Sequence, residues 1–167
     1  MQPISINGRY NSVNDTIVLK ALMPKIVYGT STINNAVVNV NTKDNALGYS
    51  VFIDEVQNAE FRLPHTLVEG IIKDNTLGYR LLLLDDKNKN QYIVAGTLKS
   101  VDGNTELRLL PEDLMLNYEK WTLSESNLIR FGNQGIYAND FELRNGNTMV
   151  KLQSQSNTLN ALLLIDF

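Results

Sequence analysis

The chain has 167 residues, 43% of them hydrophobic and 20% charged, with a net charge of −3. This composition suits one folded domain and excludes a disordered chain. Scattered Lys and Arg residues, with no basic stripe, argue against a nucleic-acid partner. There is no cysteine and a single histidine, His65, so disulfides and thiolate metal sites are excluded. Any nucleophile-base system would rest on His65, which beside Pro64 reads as a loop or strand-end residue. The opening "MQPISINGRY" has no leader pattern, and no apolar run approaches the roughly 20 residues of a membrane helix.

Taken in chain order, period-2 patterning dominates. "TIVLKALM" (16–23) sets Ile17, Leu19 and Ala21 on one face, and "AVVNVN" (36–41) does the same for Val38 and Val40. "KDNALGYSVFID" (43–54) starts with a turn pair and continues with Leu47, Tyr49, Val51 and Ile53 on one side. After "EFRL" (60–63), thirty residues on, the motif returns as "KDNTLGYRLLLLD", with Leu77, Tyr79, Leu81 and Leu83 in the equivalent places. The repeat extends upstream, aligning "NNAVVNVNTK" (34–43) with "PHTLVEGIIK" (64–73). Residues 34–54 and 64–84 therefore form a weak internal repeat of hairpin size, within one β-rich segment spanning 1–167.

The remaining strands are "QYIVAGTLK" (91–99), "TELRLL" (105–110) with Leu107 and Leu109, "NDFELR" (139–144) with Phe141 and Leu143, "TMVKLQ" (148–153) with Val150 and Leu152, and "NALLLIDF" (160–167). The chain has 21 asparagines, a residue that tolerates left-handed backbone and closes turns. Asp102-Gly103 and Asn145-Gly146 are favoured centres of two-residue hairpins. Asp44-Asn45, Asp74-Asn75 and Asp85 to Asn90 read as further turns. Only "PEDLML" (111–116) has a helix-start pattern, enough for one helical turn. The expected class is all-β, a long meandering antiparallel sheet.

Catalytic and metal patterns fail on inventory. Asp86, Asn88 and Asn90 have the alternating oxygens of a calcium loop, but Gln91 and Thr97 stand where Gly and Glu are required. The acid pairs Asp54-Glu55, Asp85-Asp86 and Glu112-Asp113 read as solvated turns. The expectation is a protein that is not an enzyme, with no cofactor and no metal. One aromatic concentration, Tyr118, Trp121, Phe131, Tyr137 and Phe141, is compatible with a sugar or peptide site as well as with strand packing.

The run "LRLLPEDLMLNYEKWTLSESNLIRFGNQGIYANDFELRNGNTMVKLQSQS" (107–156) resembles TamB-like proteins of the AsmA-like superfamily, Bacteroidetes type. The matching features are Pro111-x-x-Leu114-x-Leu116-Asn117, then Trp121, Asn127-x-Ile129, and a short strand ending in Asn145-Gly146. The style of the resemblance extends from about Ile4 onward. It implies a sheet curled into a β-taco-like trough in a periplasmic protein whose parent is anchored in the inner membrane. The implied partners are phospholipid or an unfolded outer-membrane protein, together with an outer-membrane barrel. The period-2 apolar sets named above become the expected trough lining. Exposed edges imply a possible edge-paired homodimer of the fragment. The alternative is a closed β-sandwich or β-solenoid, a cell-surface module binding glycan or protein, in which the same apolar sets are core.

Overall fold

Alternating apolar residues punctuated by Asn and Asp turns produce an all-β chain. A computed structural model describes residues 3–159 and 161–167, and no helix occurs among them. The strands are β1 (Ser5–Asn11), β2 (Thr16–Tyr28), β3 (Ser31–Lys43), β4 (Ala46–Gln57), β5 (Arg62–Lys73), β6 (Thr76–Leu84) and β7 (Asn90–Val101). They continue as β8 (Asn104–Leu116), β9 (Glu119–Lys120), β10 (Leu128–Gly132), β11 (Gly135–Asn139), β12 (Phe141–Asn145), β13 (Thr148–Ser154) and β14 (Leu163–Asp166). An open eleven-stranded antiparallel sheet runs from β1 through β8 to β10 and β11, with β9 paired to β8. The last three strands form a second sheet, β12-β13-β14. The chain divides into two compact units, Met1–Lys73 with Tyr79–Gln91, and Asp74–Gly78 with Tyr92–Phe167.

The turn chemistry explains the meander. Asp44 and Asn45, Asp74 and Asn75, and Asp102 and Gly103 all have positive φ, the geometry of the tight hairpins they close. The expected Asn145-Gly146 turn lies one residue later. Asn145 pairs with Thr148, so Gly146 and Asn147 form the turn. "NDFELR" is not one strand either, because Asp140 at φ 48° separates β11 from β12. The strand expected at 160–167 is observed over Leu163–Asp166, and its first residue, Asn160, lies outside the described residues.

The expected helical turn at 111–116 is strand. Pairing of β7 with β8 jumps from Val94↔Leu114 to Gly96↔Leu109. Residues 110–113 thus bulge out of the ladder, and Pro111 sits where no N–H has to be donated. His65 is neither loop nor strand end. It lies within β5 at φ 25°.

The units differ in packing. The second has a buried apolar core of Ile93, Ala95, Leu114, Leu123, Leu128, Ala138 and Phe141. In the first, only Ala21 and Ala36 are buried among the described residues.

Candidate functional site

The first unit presents one face free of charge. Strand register aligns Leu19, Val40, Tyr49 and Gly70 in one row, and Ala21, Val38, Val51 and Val68 in the next. Met23, Ala36, Ile53 and Thr66 make a third row. Thr42, Leu47 and Ile72 make a fourth, joined by Ile17, whose N–H donates to the Thr42 hydroxyl at 3.1 Å. On β1, Ile6 faces Ala21 and Tyr10 faces Ile17. Directly opposed residues share a face, so Ile17, Leu19, Val38, Val40, Leu47, Tyr49, Val51 and Ile53 lie on one face of the sheet. All are half-buried, consistent with a single layer packed side by side.

The pattern then changes in concert. The ladder passes over Pro24 with Asn35, Asn35 with Asp54, and Asp54 with His65, although the register on either side is unchanged. Asn35 and His65 have left-handed backbone at this row. They are also equivalent positions of the thirty-residue repeat. Asn35 Nδ2 donates to Asp54 at 3.2 Å, and His65 Nδ1 lies 3.1 Å from the other oxygen of the same carboxylate. Asn34, Asn35, Asp54 and Glu55 line one pocket with Lys25, Arg62 and His65. Beyond the interruption, Ile26, Ile33, Val56 and Leu63 align as a further apolar row. In each strand the apolar spacing changes from two to three at this row. From Leu47 to Ile53 the uncharged face runs about 20 Å along the strands and about 20 Å across β1 to β5. An area of roughly 400 Å² lies within the range of the largest apolar patches on monomers.

The opposite face is mixed, with Lys20, Asn39, Ser50 and Glu69 in one row, Leu22, Val37, Phe52 and Leu67 in another, and Val18, Leu22, Phe52 and Ile71 exposed. A groove of about 590 Å³ crosses β2 to β5 between the row of Lys20, Asn39, Ser50 and Glu69 and that of Val18, Asn41, Gly48 and Ile71. Leu19, Val40, Tyr49 and Gly70 provide its floor. Asn39 donates to Ser50 Oγ at 3.3 Å. Next to the passed-over row, Glu55 accepts from Asn34 at 3.0 Å and from Arg62, which also donates to Asp86 at 2.8 Å. The Arg62 hydrogen bond, aided by Asn34, holds the Glu55 carboxyl below its usual range. Sequence reasoning missed this network. Its signal was the simultaneous change of apolar spacing from two to three at Met23-Ile26, Ile33-Ala36, Ile53-Val56 and Leu63-Thr66.

Burial pushes the phenols of Tyr49 and Tyr79 up, with Tyr49 adding to the effect on Tyr79. Tyr79, Leu81 and Leu83 are half-buried on one side of β6, and Leu77 belongs to the second unit. The other expected lining residues lie in that unit. Leu107 opposes Leu98 and Ile129, and Leu109 opposes Gly96. Phe141 pairs with Leu152 and Leu143 with Val150 in the separate three-stranded sheet, where Phe141 is buried. These four are therefore not a continuation of the long sheet's face. The aromatic set is also dispersed. Phe141 is core, and Phe131 and Tyr137, one apart in phase along the β10-β11 ladder, lie on opposite faces.

Among the described residues, no group of three or more His, Asp and Glu side chains is positioned to hold a metal. A scan against protein-family models, a search of curated proteins and a search of solved structures each found no significant match.

Proposed function

We propose that the chain is a non-enzymatic segment that binds apolar cargo on the uncharged face of β1–β5. The supporting observation is a face of long strands, uncharged from Ile6 to Ile72, over which only two alanines are buried. Exposing an acyl chain to water costs about 0.8 kcal/mol per CH₂, on the order of 10 kcal/mol for a whole tail. A sheet face with no charge to desolvate removes much of that cost without catalytic machinery. The cargo we favour is phospholipid, with unfolded outer-membrane protein strands as the other apolar candidate. A periplasmic setting, an inner-membrane-anchored parent and a barrel partner rest on the TamB-like resemblance of 107–156 alone.

The alternative, a closed glycan- or protein-binding module, would use the aromatic set, of which Phe131 and Tyr137 lie on opposite faces and Phe141 is core.

Site-specific photo-crosslinking tests the proposal. Val51 and Ser50 are adjacent but on opposite faces, and Ser50 lines the groove of the face that carries Lys20 and Glu69. Labelled phospholipid captured at Val51 and not at Ser50 is the expected result. Capture at Ser50 would move the cargo to the groove, and capture at neither would remove apolar cargo as the function.

A further inference from the structure

The first strand ends the long sheet, and Arg9 is the one charged residue along it. Over Ser5–Asn11 it contains no proline, no lysine and no bulge, and all seven residues pair with β2 in unbroken register. Natural edges carry such features because an unprotected row of N–H and C=O groups is a template for another strand. The apolar side chains of β1 are covered on their β2 side only, leaving Ile6 65% and Tyr10 61% exposed.

We propose that β1 pairs antiparallel with β1 of a second copy of this chain, about a two-fold axis through Gly8. The sequence SINGRYN is self-complementary in that register alone. An added strand keeps apolar residues on the apolar face only if the register moves in steps of two. Centring on Gly8 uses every residue of the strand. It sets Ile6 against the second copy's Tyr10 on the uncharged face, an aromatic with a β-branched residue. It also sets Asn7 against Arg9 and Ser5 against Asn11 on the opposite face. Centring on Arg9 instead would oppose two guanidinium groups, and centring on Asn7 would leave Tyr10 and Asn11 without partners in the strand. The contact extends the uncharged face from one copy into the next, but it does not depend on what that face binds. It is small for a protein interface, so the dimer forms reversibly.

The absence of cysteine makes the register directly readable. A Cβ at Gly8 meets only Leu19 Cδ1 and Val18 O, both at 3.7 Å, so Gly8→Cys fits the fold, which circular dichroism checks. In the proposed dimer the two introduced thiols face each other. Opposed Cα atoms in an antiparallel pair are about 4.5–5.5 Å apart, within the range a disulfide spans. The expected result is a disulfide-linked dimer under mild oxidation for Gly8→Cys, formed at least about tenfold faster than for Ile6→Cys, whose partner is Tyr10. Mixing Asn7→Cys with Arg9→Cys chains should give the mixed dimer faster than either chain self-links. The unmodified protein should rise from 18.8 kDa towards twice that mass with concentration. Equal rates at positions 6 and 8, or a monomer across the whole range, would overturn the proposal.

Discussion

Asn127 has the largest fully buried side chain among the described residues. β10 pairs with β8 through Ile129↔Leu107, and the next in-phase pair along that ladder would be Asn127 with Leu109. There the side-chain amide replaces the backbone. Its Oδ1 accepts the Leu109 N–H at 2.8 Å, while Nδ2 donates to the carbonyls of Leu109 and Ser124 at 2.9 and 2.7 Å. The site sits beside the 110–113 bulge. Leaving a buried polar group unpaired costs about 1–3 kcal/mol. Asn127→Ala strands three such groups, so a loss of about 3 kcal/mol or more is expected in denaturant unfolding of the second unit. Asn127→Asp should be no better, because it keeps the acceptor but loses both donors and buries a charge. A change below about 1 kcal/mol in both variants would mean that this amide does not close the ladder. Position 127 was visible in the sequence as part of an Asn-x-Ile pattern. Its role was not, because nothing local says that a side chain will stand in for a strand.

At the scale of elements, strands and most hairpins were legible because each turn wrote its own left-handed requirement in Asp, Asn or Gly. The passed-over row was less so, since each strand alone shows one irregular spacing and only the register brings four of them into line. The row makes two predictions. Asn35 and His65 hold positive φ, where a β-branched residue is strained by on the order of 1–3 kcal/mol. Asn35→Val and His65→Val should lower the thermal midpoint, whereas Asn35→Gly and His65→Gly should remain close to the parent despite losing their contacts with Asp54. Equal losses for Gly and Val would assign the effect to the side-chain contacts instead. The second prediction concerns acid. Arg62 holds the folded Glu55 carboxyl lower than in the unfolded chain, so the native state binds fewer protons. Its stabilising contribution is complete above the ordinary Glu value of about 4.3 and is lost as pH falls through the lowered folded value. Glu55→Gln should therefore flatten the acid limb of the first unit's stability curve and leave its neutral-pH shape unchanged. Glu142, lowered by its hydrogen bond from Arg144, gives the corresponding variant in the second unit.

For the whole molecule, the decisive contrast is between a unit with an apolar core and one almost without. Buried apolar contacts set which cooperative units resist opening. Among the described residues, the second unit has seven buried apolar side chains and the first has two alanines. In aqueous buffer, amides of β2–β5 should exchange hydrogen faster than those of β7, β8 and β10, despite the greater length of their ladders. This difference was beyond the sequence, since Val38 and Val51 alternate as regularly as Leu107 and Leu109. Periodicity identifies an apolar face without saying whether anything will cover it. A ligand that binds only the folded state raises stability in proportion to the logarithm of its concentration over Kd. Short-chain phospholipid added below its micellar concentration should then slow exchange across β2–β5 and leave the second unit unaffected. Slow exchange in β2–β5 before any lipid is added, unchanged by lipid, would show that the uncharged face stabilises itself and has no need of cargo. A selective lipid-dependent gain would mean that this face acquires in its ligand the missing second layer of its core.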